Sequence, residues 1–171
     1  VATTAAPTEN ESRYNYLWRF YQTFPVKGKM TIYDRSWYGR VLVERVEGFT
    51  PEHRWAAAYE EINEMEHNLV HDGLLIIKFL IVIDKEEQKR RFKDRENDPE
   101  KIHKLTDEDW RNHEKFEQYE EAMNEMVART DTKDAPWIIV AGTQKEYARI
   151  KVLKEFISRA RTFIDSHEGK K

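Results

Sequence analysis

The sequence predicts an α/β fold: a parallel sheet between two layers of helices, three layers in all, with a helical lid inserted between two of its strands. Two apolar runs carry that prediction. Residues 74–83, Leu-Leu-Ile-Ile-Lys-Phe-Leu-Ile-Val-Ile, and residues 135–141, Ala-Pro-Trp-Ile-Ile-Val-Ala, are nearly continuous rather than alternating, the pattern of strands covered on both faces of a parallel sheet. The third observation is order. Segments of helical periodicity precede, separate and follow these runs, and such alternation calls for right-handed crossovers.

Composition sets the bounds. A chain of 171 residues, 39% hydrophobic and 36% charged, has enough apolar material for one core, so a single domain over 1–165 is expected, with a loose tail over 166–171. The net charge of −3 is small against 29 basic and 32 acidic residues, so no global cationic field points to nucleic acid or a membrane surface, and any anion site must be local. With no cysteine, a disulfide scaffold and a cysteine metal site are both excluded. No apolar run approaches the roughly 20 residues of a membrane span, and no signal-peptide pattern opens the chain; a cytoplasmic location is expected.

In chain order, Thr8 with Glu11 three residues on forms a capping box for a helix over 9–23, which places Tyr14, Leu17, Trp18 and Tyr21 on one stripe. Phe24-Pro25 ends it. Lys29-Met-Thr-Ile-Tyr-Asp-Arg-Ser-Trp-Tyr-Gly-Arg40 then gives a short strand through Met30, Ile32 and Tyr33 that stops at an acid and a base, Asp34 and Arg35. In an open α/β sheet, ligands bind outside the carboxyl ends of the strands, and a carboxylate there can hold Mg²⁺ directly or through water. Asp34 reads as a Walker B type acid; the alternative is an Asp that caps the next helix. Thr50-Pro51 starts a helix to residue 71 with Trp55, Tyr59, Ile62, Met65 and Leu69 inward, and Asp72-Gly73 closes it.

Between the two apolar runs lies a charged insertion, the lid of residues 86–129. Arg91 and Arg95 are four apart on a helical pattern and share a face, Lys101 and Lys104 follow Asp98-Pro99, and Thr106-Asp-Glu-Asp109 caps a helix reaching residue 129 with Phe116, Tyr119, Met123 and Met126 along it. Arginines on a closing lid would stabilise the charge that gathers on a transferring phosphoryl group; the plainer reading is a solvated face with pairs such as Glu87 to Arg91. A last helix over 144–164 presents Tyr147, Ile150, Leu153, Phe156, Ile157, Ala160 and Ile164. His67 and His71 stand four apart on one helix with no third ligand evident in sequence, so surface histidines are the ordinary reading.

These motifs together resemble the type-2 polyphosphate kinase family, from about residue 5 to 160. The matching segments are Ala6-Pro-Thr-Glu9, Leu17-Trp-Arg-Phe20, Asp34-Arg-Ser-Trp-Tyr38 with Arg40, Lys85-Glu-Glu-Gln88, Arg91-Phe92, Arg95, Asp98-Pro-x-Lys101, Lys104-Leu105, Asp107-x-Asp-Trp110, Thr130-Asp-Thr-x-x-Ala-Pro-Trp137 and Tyr147-Ala-Arg-Ile-Lys-Val-Leu153. The run Gly39-Arg-Val-Leu-Val-Glu44 looks closer to members that phosphorylate AMP than to those that use ADP. The resemblance implies a P-loop-kinase-like fold and Mg²⁺-dependent transfer from inorganic polyphosphate to a nucleoside mono- or diphosphate. In that reading Asp34 positions Mg²⁺ or the acceptor phosphate, and Arg35 and Arg40 bind phosphates. Arg91, Arg95 and Lys104 neutralise charge during transfer, and Arg19, Trp37 and Tyr38 face phosphate or nucleotide. A homo-oligomer is also expected.

Some positions depart from the family pattern. His103 stands where a Trp is usual before the lid Lys-Leu, Phe116 takes another Trp position, and Gly142-Thr-Gln144 replaces a segment that often holds an acid. No Gly-x-x-x-x-Gly-Lys occurs; the six glycines are scattered at 28, 39, 48, 73, 142 and 169. In the family that loop lies upstream of the residue equivalent to Val1, so the fold is expected to be N-terminally incomplete and the 171-residue chain weak or inactive alone. Two other classes share some of these features: an ATP-dependent nucleoside monophosphate kinase and a non-catalytic polyphosphate-binding remnant.

Overall fold

The computed structural model describes residues 1–100, 102–104 and 106–168, without the side chains of Lys104, Asp107, Glu108 and Glu168. The chain forms two compact units, residues 1–62 and 63–171, each taken by itself below.

In the first unit, β1 (Ala2–Thr3) pairs in parallel with β2 (Tyr33–Asp34), Thr3 opposite Asp34. The strand expected through Met30 and Ile32 is thus only its last two residues. Met30 and Ile32 are 61% and 53% exposed, because the ladder that would bury them extends only from Ile32 to Thr4. The capping box is present: Thr8 N–H donates to the Glu11 carboxylate (2.7 Å) and Glu11 N–H to the Thr8 hydroxyl (3.2 Å). It opens a 3₁₀ turn, Glu11–Arg13, rather than the helix expected over 9–23. Tyr14 is extended and Asn15 Oδ1 accepts from Leu17 N–H, an Asx bond that competes with helical pairing, so α1 is confined to Trp18–Tyr21. Of the predicted stripe Leu17 is buried, whereas Tyr21 is exposed and Tyr14, also exposed, stacks on Trp18 at 4.3 Å; Phe20, outside the stripe, is buried as well. A 3₁₀ turn (Trp37–Arg40) and α2 (Val43–Val46) complete the approach to α3 (Glu52–His71). Helix α3 buries Tyr59, Ile62 and Met65, as its periodicity predicts, and Gly73 at φ 93° closes it.

In the second unit, β3 (Lys78–Val82) pairs in parallel with β4 (Trp137–Ala141) along all five residues. Helix α4 (Lys85–Glu96) is N-capped by Asp84, whose carboxylate accepts from Glu87 N–H at 2.7 Å. A 3₁₀ turn (Ile102–Lys104) leads to α5 (Asp107–Glu114), which carries the predicted Thr106–Asp109 capping box, and then to α6 (Phe116–Thr130). The single lid helix expected here is broken at Lys115. Trp110 packs edge-on to Phe92, while Met126 is fully buried. On one straight helix these two side chains would stand about 160° apart, and the break lets both turn inward.

Helix α7 (Lys145–Glu168) covers one face of the pair, where Ala148 and Val152 pack against Ile77, Phe79, Ile138 and Val140. By register Ile139 lies on the other face, with buried Lys78, and is 56% exposed, while Ile81, on the α7 face, is 58% exposed, so cover on both faces is only partial among the described residues. The predicted α7 stripe also turns outward: Tyr147, Ile150, Leu153, Ile157 and Ile164 are exposed, because small Ala148 is what allows the helix to lie close on the sheet. The helix extends through residues 166–168 of the expected loose tail, and residues 169–171 lie outside the described set.

Sequence periodicity hides the most consequential contact in this unit. Lys78, inside the apolar run, is buried, and its Nζ donates to Glu66 Oε2 and to the Thr130 carbonyl, both at 2.8 Å. Glu66 on α3 and Thr130 at the end of α6 are fully buried. The ammonium lies 4.9 Å from the Trp137 ring centroid, and Trp137 Nε1–H donates to Thr130 Oγ1 at 2.9 Å. Burial pushes the Lys78 ammonium below its ordinary pKa, and the Glu66 carboxylate opposes that shift. Removing one partner strands a buried charge. Glu66→Leu is therefore expected to cost about 3–5 kcal/mol in urea unfolding, and Glu66→Leu with Lys78→Met to recover most of it. A double variant no more stable than the single one would contradict this account.

Candidate active site

The end of β2 is built as the motif suggests. Asp34 is exposed, and its carboxylate has no hydrogen bond or ion pair among the described residues. Arg35 follows at φ 64°, a left-handed backbone uncommon for any residue but glycine, and the Thr4 hydroxyl holds its carbonyl at 2.8 Å. The guanidinium of Arg35 is likewise exposed with no ion pair among the described residues.

Trp37 and Tyr38, expected to face ligand, are buried at 6% and 4% exposure. Trp37 meets Phe20, Phe24 and Tyr33 edge to face at 5.4 to 6.0 Å, so these rings form the platform under the Asp34–Arg35 turn and are closed to a stacking base. Arg40 is also turned inward. It pairs with Glu44 Oε2 at 2.8 Å, donates to the Thr50 hydroxyl, and lies 4.2 Å from the Tyr16 ring; Thr50 in turn donates to Glu44 at 2.6 Å. Burial pushes the Tyr16 hydroxyl pKa up, with Glu61 adding to the shift. Arg19 pairs with Glu11 at 3.3 Å and donates to the Ala5 carbonyl, fastening the first loop.

In the second unit, Arg91 and Arg95 lie on α4 one turn apart, as their spacing predicts, but in different surroundings. Arg91 donates to Glu87 at 2.7 Å and to the carbonyls of Gly142 at 2.6 Å and Thr143 at 3.1 Å, tying α4 to the loop after β4. Arg90 completes a two-arginine clamp on Glu87, whose hydrogen bonds hold the carboxyl down at about 2. Arg95 lies against the Phe92 ring, 5.8 Å from its centroid, with no ion pair among the described residues. Lys104 falls in the 3₁₀ turn, its side chain outside the described residues, as is all of Lys101.

The structure also brings together residues that the sequence left apart. Asp134 places Oδ2 2.7 Å from His67 Nδ1, giving the two-histidine pair the carboxylate that the sequence did not reveal. The Thr130-Asp-x-x-x-Ala-Pro-Trp137 motif proves to be architectural: Thr130 and Trp137 surround Lys78, and Asp131 accepts from Trp137 N–H at 2.8 Å. Two signals could have found the Lys78 pair: a lysine in the middle of an apolar strand, and Glu66 four residues after Ile62 on the buried face of α3.

Comparison with known proteins gives a consistent result. The family model for polyphosphate kinase 2 matches residues 1–167. A polyphosphate:AMP phosphotransferase of Pseudomonas aeruginosa is 50% identical over 154 residues, 90% of this chain and 31% of that protein. An ADP-polyphosphate phosphotransferase of Rhizobium meliloti is 37% identical over 92% of this chain and 56% of its own length. A crystal structure from Pseudomonas aeruginosa PA01 assigned as polyphosphate kinase 2 superposes with a TM-score of 0.92 at 47% identity, covering 96% of this chain and 35% of that one. The chain thus spans about a third of the Pseudomonas phosphotransferase.

Two measurements check this geometry. The Glu87 carboxyl lies below the ordinary value of 4.5, so its stabilising effect is complete above that pH and is lost as pH falls toward about 2. Carboxyl NMR should follow Glu87 to a midpoint near 2; a midpoint above about 4 would contradict the clamp. A Cβ at position 142 would sit 2.8 Å from Ile81 Cγ2 and 3.1 Å from the Val82 carbonyl, and the latter is backbone. Gly142→Ala should cost about 1–3 kcal/mol in denaturant unfolding, and no loss would mean that this close approach is not kept in solution.

Proposed function

The chain belongs to the polyphosphate kinase 2 family, and we propose that it serves Mg²⁺-dependent transfer of a phosphoryl group from inorganic polyphosphate to AMP or ADP. The observation that carries this reading is the end of β2, where an exposed carboxylate and an exposed guanidinium, neither with an ion pair among the described residues, stand side by side on a buried aromatic platform. An anionic hard oxygen suits a Mg²⁺ ion that keeps most of its water, so Asp34 would hold it; when bound, the ion supplies charge neutralisation on phosphate oxygens. The relatives named for AMP, at 48 to 50% identity, stand closer than the 37% one named for ADP, which supports AMP as the preferred acceptor.

The arginines divide by their partners. Arg35 and Arg95, with no ion pair among the described residues, would bind phosphate oxygens through bidentate forks and offset the charge that develops during in-line transfer. Arg91, Arg40 and Arg19, already bonded, act by holding the elements that carry those groups; Lys104 would add a further cation to the lid. Trp37 and Tyr38 support the turn. The reading extends to a homo-oligomer in the cytoplasm, supported by the unpaired outer edges of the two-stranded sheets among the described residues and by the absence of cysteine. Among the described residues, no helix is long and apolar enough to cross a membrane.

The test is donor and acceptor choice in the full-length gene product. With Mg²⁺ present, polyphosphate is expected to convert AMP to ADP at roughly 1 to 10³ per second, and ATP to be a poor donor. A preference for ATP would replace this reading with a nucleoside monophosphate kinase. Arg95→Ala is expected to lower kcat about 10²-fold with no change in unfolding midpoint; an unchanged kcat would remove Arg95 from the transfer step.

A further inference from the structure

Near the C-terminal end of α3, His67 and His71 present their rings 4.1 Å apart between centroids, and Asp134 reaches them from the segment between α6 and β4. One donor atom from each of the three lies within 4.8 Å of the others. Both histidines are exposed and Asp134 is half-buried. We propose that His67, His71 and Asp134 form a binding site for one transition-metal ion of the Zn²⁺ class, separate from the phosphate-transfer chemistry.

Donor chemistry, helical spacing and the position of His71 support the site. The donor set, two imidazole nitrogens and one carboxylate oxygen, is the borderline combination that selects Zn²⁺ and its neighbours over Mg²⁺ or Ca²⁺, which take oxygen donors. The spacing of four residues on a regular helix puts both imidazoles on one face, held by backbone rather than by a flexible loop. A plain ion pair would leave one group over. The 2.7 Å bond from His67 to Asp134 accounts for two of the three groups, but His71, its ring 4.1 Å from that of His67, has no hydrogen bond among the described residues. A shared cation accounts for all three. Small rotations of the exposed rings would bring the donors to bonding distance, and open positions would be filled by water.

Such an ion would fasten the end of α3 to the segment entering β4, beside the point where Asn63 Nδ2 donates to the Arg129 carbonyl at 2.9 Å. It would therefore raise stability without being needed for the fold.

The experiment is calorimetric titration of the full-length gene product with Zn²⁺ under saturating Mg²⁺, and with Co²⁺ for its visible absorption. The expected result is a high-affinity isotherm that loses one ion per chain in each of His67→Gln, His71→Gln and Asp134→Asn, with affinity at that site down at least about 10-fold, while His53→Gln leaves it unchanged. Saturation is expected to raise the thermal midpoint of the wild type by about 5 °C and not that of the three variants. Both histidines are exposed and Asp134 is half-buried with its carboxylate paired to an exposed ring, so apo variants should unfold close to the wild-type temperature, which distinguishes a lost site from a lost fold. Absence of Zn²⁺ binding, or an isotherm kept in His71→Gln, would overturn the proposal; loss in His67→Gln and Asp134→Asn alone would reduce the cluster to an ion pair and overturn it too.

Discussion

A lysine ammonium and a glutamate carboxylate meet out of water in the second unit, and the arrangement of its elements depends on that meeting. Neither charge can be left unpaired in the interior without a penalty of several kcal/mol, so the Lys78–Glu66 bond permits only arrangements in which β3 lies against α3 at one register. The same ammonium bonds the Thr130 carbonyl, which sets the end of α6 and, through Trp137, the start of β4. With β3 so placed, Asp84 caps α4 at the strand's far end, and α4 carries Arg91 and Arg95. A buried contact thus determines where the cations of α4 begin.

The arginines of the candidate site serve two ends that residue type alone does not separate. A guanidinium that already bonds a carboxylate and a carbonyl or hydroxyl oxygen gains little by exchanging them for phosphate, and its loss first disturbs structure. Arg19, Arg40 and Arg91 are of this kind. Arg35 and Arg95 have no such partner among the described residues, and their cation is available to a ligand. Aromatic residues divide the same way: Trp37, next to the acid, supports the turn from beneath.

Much of this was legible in the residues. The capping boxes at Thr8 and Thr106, the glycine closing α3, the buried stripe of Tyr59, Ile62 and Met65, and the two parallel strands all follow from local chemistry and periodicity. What failed is instructive in physical terms. The helix expected over 9–23 is interrupted at Asn15, whose side chain competes for a backbone N–H, and only Trp18–Tyr21 is α-helical. Helix α7 is apolar around much of its circumference, so periodicity offered two faces and packing on Ala148 chose the less bulky one. The single helix expected up to residue 129 is broken because Trp110, packed on Phe92, and buried Met126 would lie on opposite sides of it. Pairings distant in sequence, Lys78 with Glu66 and His67 with Asp134, leave no periodic trace and needed the fold.

The central claim is that the carboxylate at the end of β2 takes part in phosphoryl transfer, and its most direct test is polyphosphate-dependent formation of ADP from AMP by the full-length gene product, wild type beside Asp34→Asn. The side chain is exposed and has no hydrogen bond or ion pair among the described residues, so the account predicts an unchanged unfolding midpoint and a fall in kcat of at least about 10²-fold. A variant that turns over at the wild-type rate would contradict it.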